Sequence, residues 1–487
     1  MPSAATRFAS SADLLYYFGM LIMSRKLLRN YCLVSKYFND MFTPILYAEV
    51  WFRQSNAQFL LEDLPILLGN PALKFTRIID VEIPITHERG GQATRLAASL
   101  TGLFNEATQS LLEKMPNLQM FRWAGLPLYS ATVLTLQAKC LNIRTLVIRY
   151  CDLVENDLGL LDGLTVASYW DFDDWDHHDA FSETRALFTT QNVPYFPNLT
   201  SLEIVGLHGN LEEARKDLVK LLLQSPRLRS LNLSICTDTI RRLQRGTAGQ
   251  RKQCVEFLVY LIKDFAEAGG KPLQLKNLVL GVGVVPWKSE KSLHELVDLE
   301  YLEKVHIENN LSVFTLVKSI HTIDWEIFTP DHTPKLRAFS VFELDSVTKC
   351  IPEGLVGFTQ LCSFYCSTES VNTVMKSTES LFAYLHPRPR SLTLNEIPMV
   401  EVWGNNFTQV SLYNIHALSV IYRSKLDWDS DLIRSIIAAS DLRQLCLVGY
   451  QSGPEIQDDH RVGPPEVGSI HFRIAYNKYE TKHLTIL

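Results

Sequence analysis

One hydrophobic pattern punctuates the chain: an apolar residue, two of any type, a second apolar residue, one of any type, and a third apolar residue. It reads Leu118-Phe121-Trp123, Ile143-Leu146-Ile148, Leu161-Leu164-Val166, Leu199-Leu202-Ile204, Leu228-Leu231-Leu233, Leu275-Leu278-Leu280 and Leu302-Val305-Ile307. It returns at Leu336-Phe339-Val341, Leu361-Phe364-Cys366, Pro389-Leu392-Leu394, Ile415-Leu418-Val420 and Leu442-Leu445-Leu447. The last two apolar positions of each copy lie on one face of a strand, because successive strand side chains alternate. Many neighbouring copies start 25 to 29 residues apart, which is the leucine-rich-repeat spacing. Amphipathic helices ending at a proline or small polar residue precede several copies. These are Ser110–Met115 before Pro116, Leu211–Leu223 before Ser225-Pro226, Leu381–Leu385 before Pro387, and Asp431–Ala439 before Ser440. A helix, a stop and a short strand cannot bury their apolar face alone, so such units must stack. The pattern therefore predicts an α/β fold, an irregular leucine-rich-repeat solenoid over 73–487, with Leu73 to Ile83 as its first strand. No copy carries a clean asparagine ladder at the usual turn position. Inserts near 167–195, 235–271 and 449–468 break the period, and a helix from about Cys254 to Ala268 and a strand at Ile470–Tyr476 are expected around them.

Before the repeats the period changes to that of helices. Leu14, Leu15, Phe18, Leu21 and Ile22 recur along Asp13–Met23, and Leu27, Leu28, Tyr31, Val34, Ser35 and Phe38 recur after it. Ser24 is placed to cap the second helix, and Pro44 to stop it. The string Cys32-Leu-Val-Ser-Lys-Tyr-Phe-Asn39, followed by Thr43-Pro-Ile-Leu-Tyr47, resembles the second half of an F-box as found in many fungal F-box proteins. The long degenerate repeats resemble the C-terminal parts of the same proteins. The resemblance implies an F-box-like helical module over 10–50, a junction over 51–72, and docking on the Skp-type adaptor of a cullin–RING ubiquitin ligase. Leu14, Phe18, Leu28, Leu33, Val34, Ser35 and Phe38 would make the adaptor contact. The repeats would select a target protein. Ser10-Ser11-Ala12-Asp13 stands where that family has a Leu-Pro-Pro-Glu-like opening. That departure keeps a second reading open, a repeat scaffold with a decayed F-box and no ligase role.

Charge and cysteine usage narrow the partners. With 47 basic and 53 acidic residues the formal charge is −6, which gives the whole chain no attraction to nucleic acid or an anionic membrane. Nine cysteines, scattered and odd in number, read as buried thiols of a reducing cytoplasm or nucleus. The apolar run Leu14–Met23 is about half the ~20 residues of a membrane span. Sequons at Asn198 and Asn232 fall in strand-like runs where a glycan would collide with neighbours.

Candidate chemistry is sparse. Asp171, Asp173, Asp174, Asp176, His177, His178 and Asp179 cluster in the acidic aromatic stretch Tyr169–Asp179, without the spacing of an EF-hand loop. Gly281-Val-Gly283 lacks the third glycine of a dinucleotide fingerprint. Cys362 and Cys366 are too far apart along a strand to share a metal and are expected in the core. The arginine-rich stretch Arg241–Lys252 has no interleaved aromatics and reads as a solvated loop. No hydrolase elbow, Walker loop or zinc signature occurs. No catalytic residue, cofactor or metal is expected. If the paired anchors face the core, the residue between them faces outward. That row includes Arg122, Val147, Glu203, Asn232, His306, Tyr365 and Thr393. Arg122, Glu203, Asn232, His306, Tyr365 and Thr393 are the expected target contacts.

Overall fold

The computed structural model describes residues 11–22, 24–53, 64–82, 91–125, 128–149, 196–207, 211–236, 239–240, 252, 255–288, 292–308, 324–342, 362–367, 391–395, 417–422, 444–450, 467–476 and 482–486. From Ser363 onward the description is of the backbone alone. The chain packs as two compact units, Met1–Val154 with Val166–Leu228, and Glu155–Thr165 with Arg229–Leu487.

The first unit begins with three short helices, α1 (Ala12–Leu21), α2 (Arg25–Cys32) and α3 (Lys36–Leu46). Each has a serine at its N-cap. Ser11, Ser24 and Ser35 accept from the backbone N–H of Leu14, Leu27 and Phe38 at 3.5, 3.3 and 3.2 Å. The expected single helix from Leu27 is thus divided at Leu33–Ser35, since a serine that caps one helix ends continuity with the one before. Pro44 lies inside α3 rather than ending it; the helix runs on to Leu46. Leu15, Leu28 and Phe42 form the centre of the module, with Phe18, Tyr31 and Phe38 packed around them. The Phe42 ring lies 5.5 Å from Phe38 and 5.6 Å from Tyr31, in tilted and edge-on contacts. Gly19 lets α1 approach α3 closely: a Cβ there would lie 2.5 Å from Ile45 and 2.8 Å from Phe42.

The chain leaves α3 directly into β1 (Glu49–Arg53), a strand that straddles the boundary between the expected module and the expected junction. It carries no leading apolar anchor, so the repeat pattern did not reveal it. Helices α4 (Leu64–Leu68), α5 (Gly91–Leu112), α6 (Ser130–Lys139) and α7 (Leu211–Leu223) alternate with β2 (Ile78–Glu82), β3 (Met120–Ala124), β4 (Thr145–Arg149) and β5 (Ser201–Leu207). The expected first strand Leu73–Ile83 opens instead as a 3-10 turn, Pro71–Phe75, and only then extends as β2. Of the expected helix Ser110–Met115, only Ser110–Leu112 is helical, as the end of the 22-residue α5; Glu113 and Lys114 already turn.

Strands β1 to β5 pair in parallel, in chain order and without slippage. One column runs Val50, Ile79, Phe121, Leu146, Leu202, and the next inward column Phe52, Val81, Trp123, Ile148, Ile204. Every member of both columns is buried. The copy at Leu161–Val166 lies outside the described residues; β4 pairs directly with β5.

Three turns into strands are tied to the turn before the preceding strand. Asn117 donates to the Lys74 carbonyl at 2.8 Å, Asn142 to Pro116 at 3.3 Å, and Asn198 to Leu141 at 3.2 Å. The Arg227 guanidinium closes the series on the Asn198 Oδ1 at 2.9 Å. Asn117, Asn142 and Asn198 form a short asparagine ladder set one residue before the first anchor, away from the usual turn position. Asn198 therefore sits in a turn, with its amide already engaged.

The second unit repeats the design with β6 (Ser230–Ile235), β7 (Asn277–Leu280), β8 (Lys304–Glu308), β9 (Ala338–Phe342), β10 (Ser363–Ser367), β11 (Ser391–Asn395), β12 (Ala417–Tyr422) and β13 (Gln444–Tyr450). These pair in parallel, and Leu231, Leu278, Val305, Phe339, Phe364, Leu392, Leu418 and Leu445 share one register column. Helix α8 (Phe257–Glu267) buries Phe257, Leu261 and Phe265, and the indole N–H of Trp287 donates to the Val255 carbonyl at 2.6 Å. The direction then reverses. β14 (Val467–Tyr476) pairs antiparallel with β13, and β15 (Lys482–Ile486) with β14. β14 is longer than expected, and β15 was not foreseen.

Candidate functional site

The helical module presents a surface out of proportion to its size. Its own core is complete, yet Leu14, Tyr17, Met20 and Leu21 of α1 are exposed, Leu21 at 79%. Leu33 is 79% and Val34 64% exposed in the break before α3, with Leu27 and Tyr37 exposed on the flanking helices. The geometry of α1 explains its part. Positions 15, 18, 19 and 22 turn toward α3, so the equally apolar 14, 17 and 21 must turn away.

The structure sorts the seven expected adaptor contacts into two groups. Leu14, Leu33 and Val34 stand in solvent. Leu28 is buried at the module's centre, Phe18 and Phe38 pack against it, and Ser35 caps α3. Leu28, Phe18 and Phe38 build the module, and Ser35, though it caps α3, remains exposed. Tyr17, Met20, Leu21, Leu27 and Tyr37 are the surface residues that sequence reading missed. The signal was present in α1, which is apolar on both faces although a three-helix module has room to bury only one.

The module is held rigidly against the first strand. Arg25 donates to the Glu49 carbonyl at 2.8 Å and lies 4.6 Å from the Trp51 ring centre, a cation–π contact. The Thr76 hydroxyl donates to the Tyr47 carbonyl at 2.9 Å, and the N–H groups of Arg77 and Ile78 both reach the Ala48 carbonyl.

On the sheet face of the first unit, Trp51, Asp80, Arg122, Val147 and Glu203 occupy one register row. The charges in this row are paired. Arg122 meets Asp80 at 3.1 Å, and Arg149 meets Glu203 at 2.6 Å. Val147, expected outward, is only 3% exposed between them. Arg122 and Glu203 are therefore on the expected face but engaged within it.

On the second unit the corresponding row runs Asn232, Val279, His306, Ser340, Tyr365 and Thr393. His306 Nδ1 and the Ser340 Oγ are 2.8 Å apart, and burial lowers the proton affinity of the imidazole below the ordinary histidine value. Tyr365 and Thr393 hold register positions in that row; their side chains lie outside the described residues. At the strand-leading edge, Lys276 donates to Glu303 at 2.8 Å. That bond, together with Lys276, Arg337 and Lys304 nearby, holds the Glu303 carboxyl below the usual carboxylate range.

No protein-family model matches this chain. No curated protein sequence matches it either. The geometry and the resemblance of residues 32–47 therefore carry the functional reading.

Cys362 is exposed rather than in the core. Burial pushes the Cys140 thiol up to about 12, which keeps it protonated and inert. Among the described residues, no three His, Cys, Asp or Glu side chains converge to hold a metal, and no helix is long and apolar enough to cross a membrane. The acidic aromatic stretch, Arg241–Arg251 and the core of the 449–468 insert lie outside the described residues.

Proposed function

We propose that the chain is a substrate-recognition subunit of a cullin–RING ubiquitin ligase. Its helical module docks on a Skp-type adaptor, and its stacked strands receive a target protein. The observation that carries this reading is the apolar surface of Leu14, Leu33 and Val34 on a module whose own core is already filled. Exposed apolar side chains of this kind on a small folded unit mark a docking surface, and Leu33 and Val34 lie in the segment that resembles an F-box. Parallel strands in unbroken register support the receptor half, because they offer a long face of alternating side chains for a polypeptide. The chain performs no covalent step in this scheme. It raises the effective concentration of a target lysine near the charged conjugating enzyme.

The test is co-purification of the full chain with the adaptor, compared with Val34→Asp. Retention by the native chain and loss in the variant is the expected result. Absence of binding, or binding indifferent to the change, rejects the mechanism.

One observation favours a second reading. Arg25 of α2 donates to the Glu49 carbonyl and lies over the Trp51 ring of β1, so the module also covers the first strand of the sheet. A protein-binding scaffold whose helices serve only as that cover would keep every contact of Arg25 and bind no adaptor.

A further inference from the structure

The second unit gathers positive charge along the edge where its strands begin. Arg229, Lys276, Glu303 and Arg337 follow one another there, each backbone N–H bonded to the carbonyl of the one before. Lys304 stands one residue beyond Glu303 and is exposed, as are Lys276 and Arg337. Glu303 is the one acid in this column among the described residues, and it is occupied by Lys276. The column continues with the neutral Cys362, and later copies of the sequence pattern carry Arg390, His416 and Arg443 at the same position. Next to this edge the sheet face offers hydrogen-bonding groups, Ser230, Asn232, Asn277 and Ser340 with His306 among them, and Lys304 stands in the same register row as Ser230 and Asn277.

We propose that this edge and the adjoining face bind an acidic, extended polypeptide segment. The cations at Lys304 and Arg337 meet its carboxylates, and the hydroxyl and amide groups of the face meet its backbone. The assignment rests on reading this sheet as the target-receiving surface. A nucleic acid fits less well, because no exposed aromatic ring of the described residues accompanies the cations to stack a base, and the Tyr301 ring is covered by Lys335. Arg229, Lys276 and Arg337 stand immediately before β6, β7 and β9, and Lys304 opens β8 beside Glu303, so a cation stands at the start of each of these four neighbouring strands, which lie about 4.8 Å apart.

The experiment uses the full chain without any adaptor. Fluorescence anisotropy follows binding of a short all-glutamate peptide, its all-glutamine counterpart, and a single-stranded RNA of equal charge. The glutamate peptide should bind, the glutamine peptide should not, and the RNA should bind more weakly than the glutamate peptide. The double change Lys304→Glu with Arg337→Glu should weaken the glutamate peptide by about tenfold, and Lys139→Glu on α6 should leave it unchanged. Should the reversed pair fail to fold by circular dichroism, the milder Lys304→Gln with Arg337→Gln should still weaken it several-fold. Equal binding of the glutamine peptide, tighter binding of RNA, or indifference to the substitutions overturns the assignment. Because the adaptor is absent, failure here is separate from failure of docking through Leu33 and Val34.

Discussion

His306 sits half-buried between Val279 and Ser340, and burial disfavours its charged form. Its direct neighbours on the two flanking strands, Val279 and Ser340, carry no charge. A histidine whose folded value is lowered gives up stability as pH falls through its unfolded value, because the unfolded chain takes the proton first. The stability is therefore full above the ordinary value of 6.5 and declines below it. Thermal unfolding between about pH 7.5 and about pH 5.5 should show this loss in the native chain and a smaller one in His306→Asn. The turn asparagines act at the same scale. Asn142→Ala removes one bond to a turn carbonyl and should cost about 1 kcal/mol in chemical denaturation, and Asn198→Ala, which removes two, about 2 kcal/mol. These positions were visible in the sequence as Pro-Asn-Leu or Leu-Asn-Ile before a strand. Their role was missed because the ladder was sought at another place in the repeat. The outward row was legible because strands alternate. That Arg122 and Arg149 spend their charge on Asp80 and Glu203 was not, since Asp80 comes from a strand without a full copy of the pattern.

At the scale of elements, the paired anchors were the strongest signal, and they form unbroken columns within each unit. Helix α7 matched its expected span, Leu211–Leu223, because Ser225-Pro226 stops it sharply. β1 was hidden for the opposite reason: Val50 and Phe52 supply the inward pair, but Ala48 and Tyr47 hold its start where a leading anchor would be. Helix α6 shows another device that spacing does not encode. Its N-cap residue Tyr129 has no side-chain cap, and Asn105 of α5 instead accepts from the Tyr129 N–H at 2.8 Å and the Thr132 hydroxyl at 2.7 Å. The contact of α1 with α3 is the most exacting of these packings. Gly19→Val should force the Phe42 ring aside and cost about 1–3 kcal/mol, and Phe42→Ala should cost about 3–5 kcal/mol. Both should lower the unfolding temperature and, through the displaced Leu14 face, weaken adaptor binding. A Gly19→Val chain of native stability would show that α1 does not pack on α3 as described.

For the molecule as a whole, the helical module matters because its core and its surface are carried by different residues. Leu15, Leu28 and Phe42 hold it together, and Leu33 and Val34 remain in water with no role in that packing. The surface can therefore be altered without unfolding the chain, which separates docking from stability. Binding of the purified full chain to a purified Skp-type adaptor, measured by isothermal titration, is the most direct test. The native chain should bind saturably, and Leu33→Asp and Val34→Asp should each weaken binding by at least about tenfold with an unchanged unfolding temperature. A native chain that gives no binding heat, or variants that bind as tightly as it does, would contradict the ligase reading.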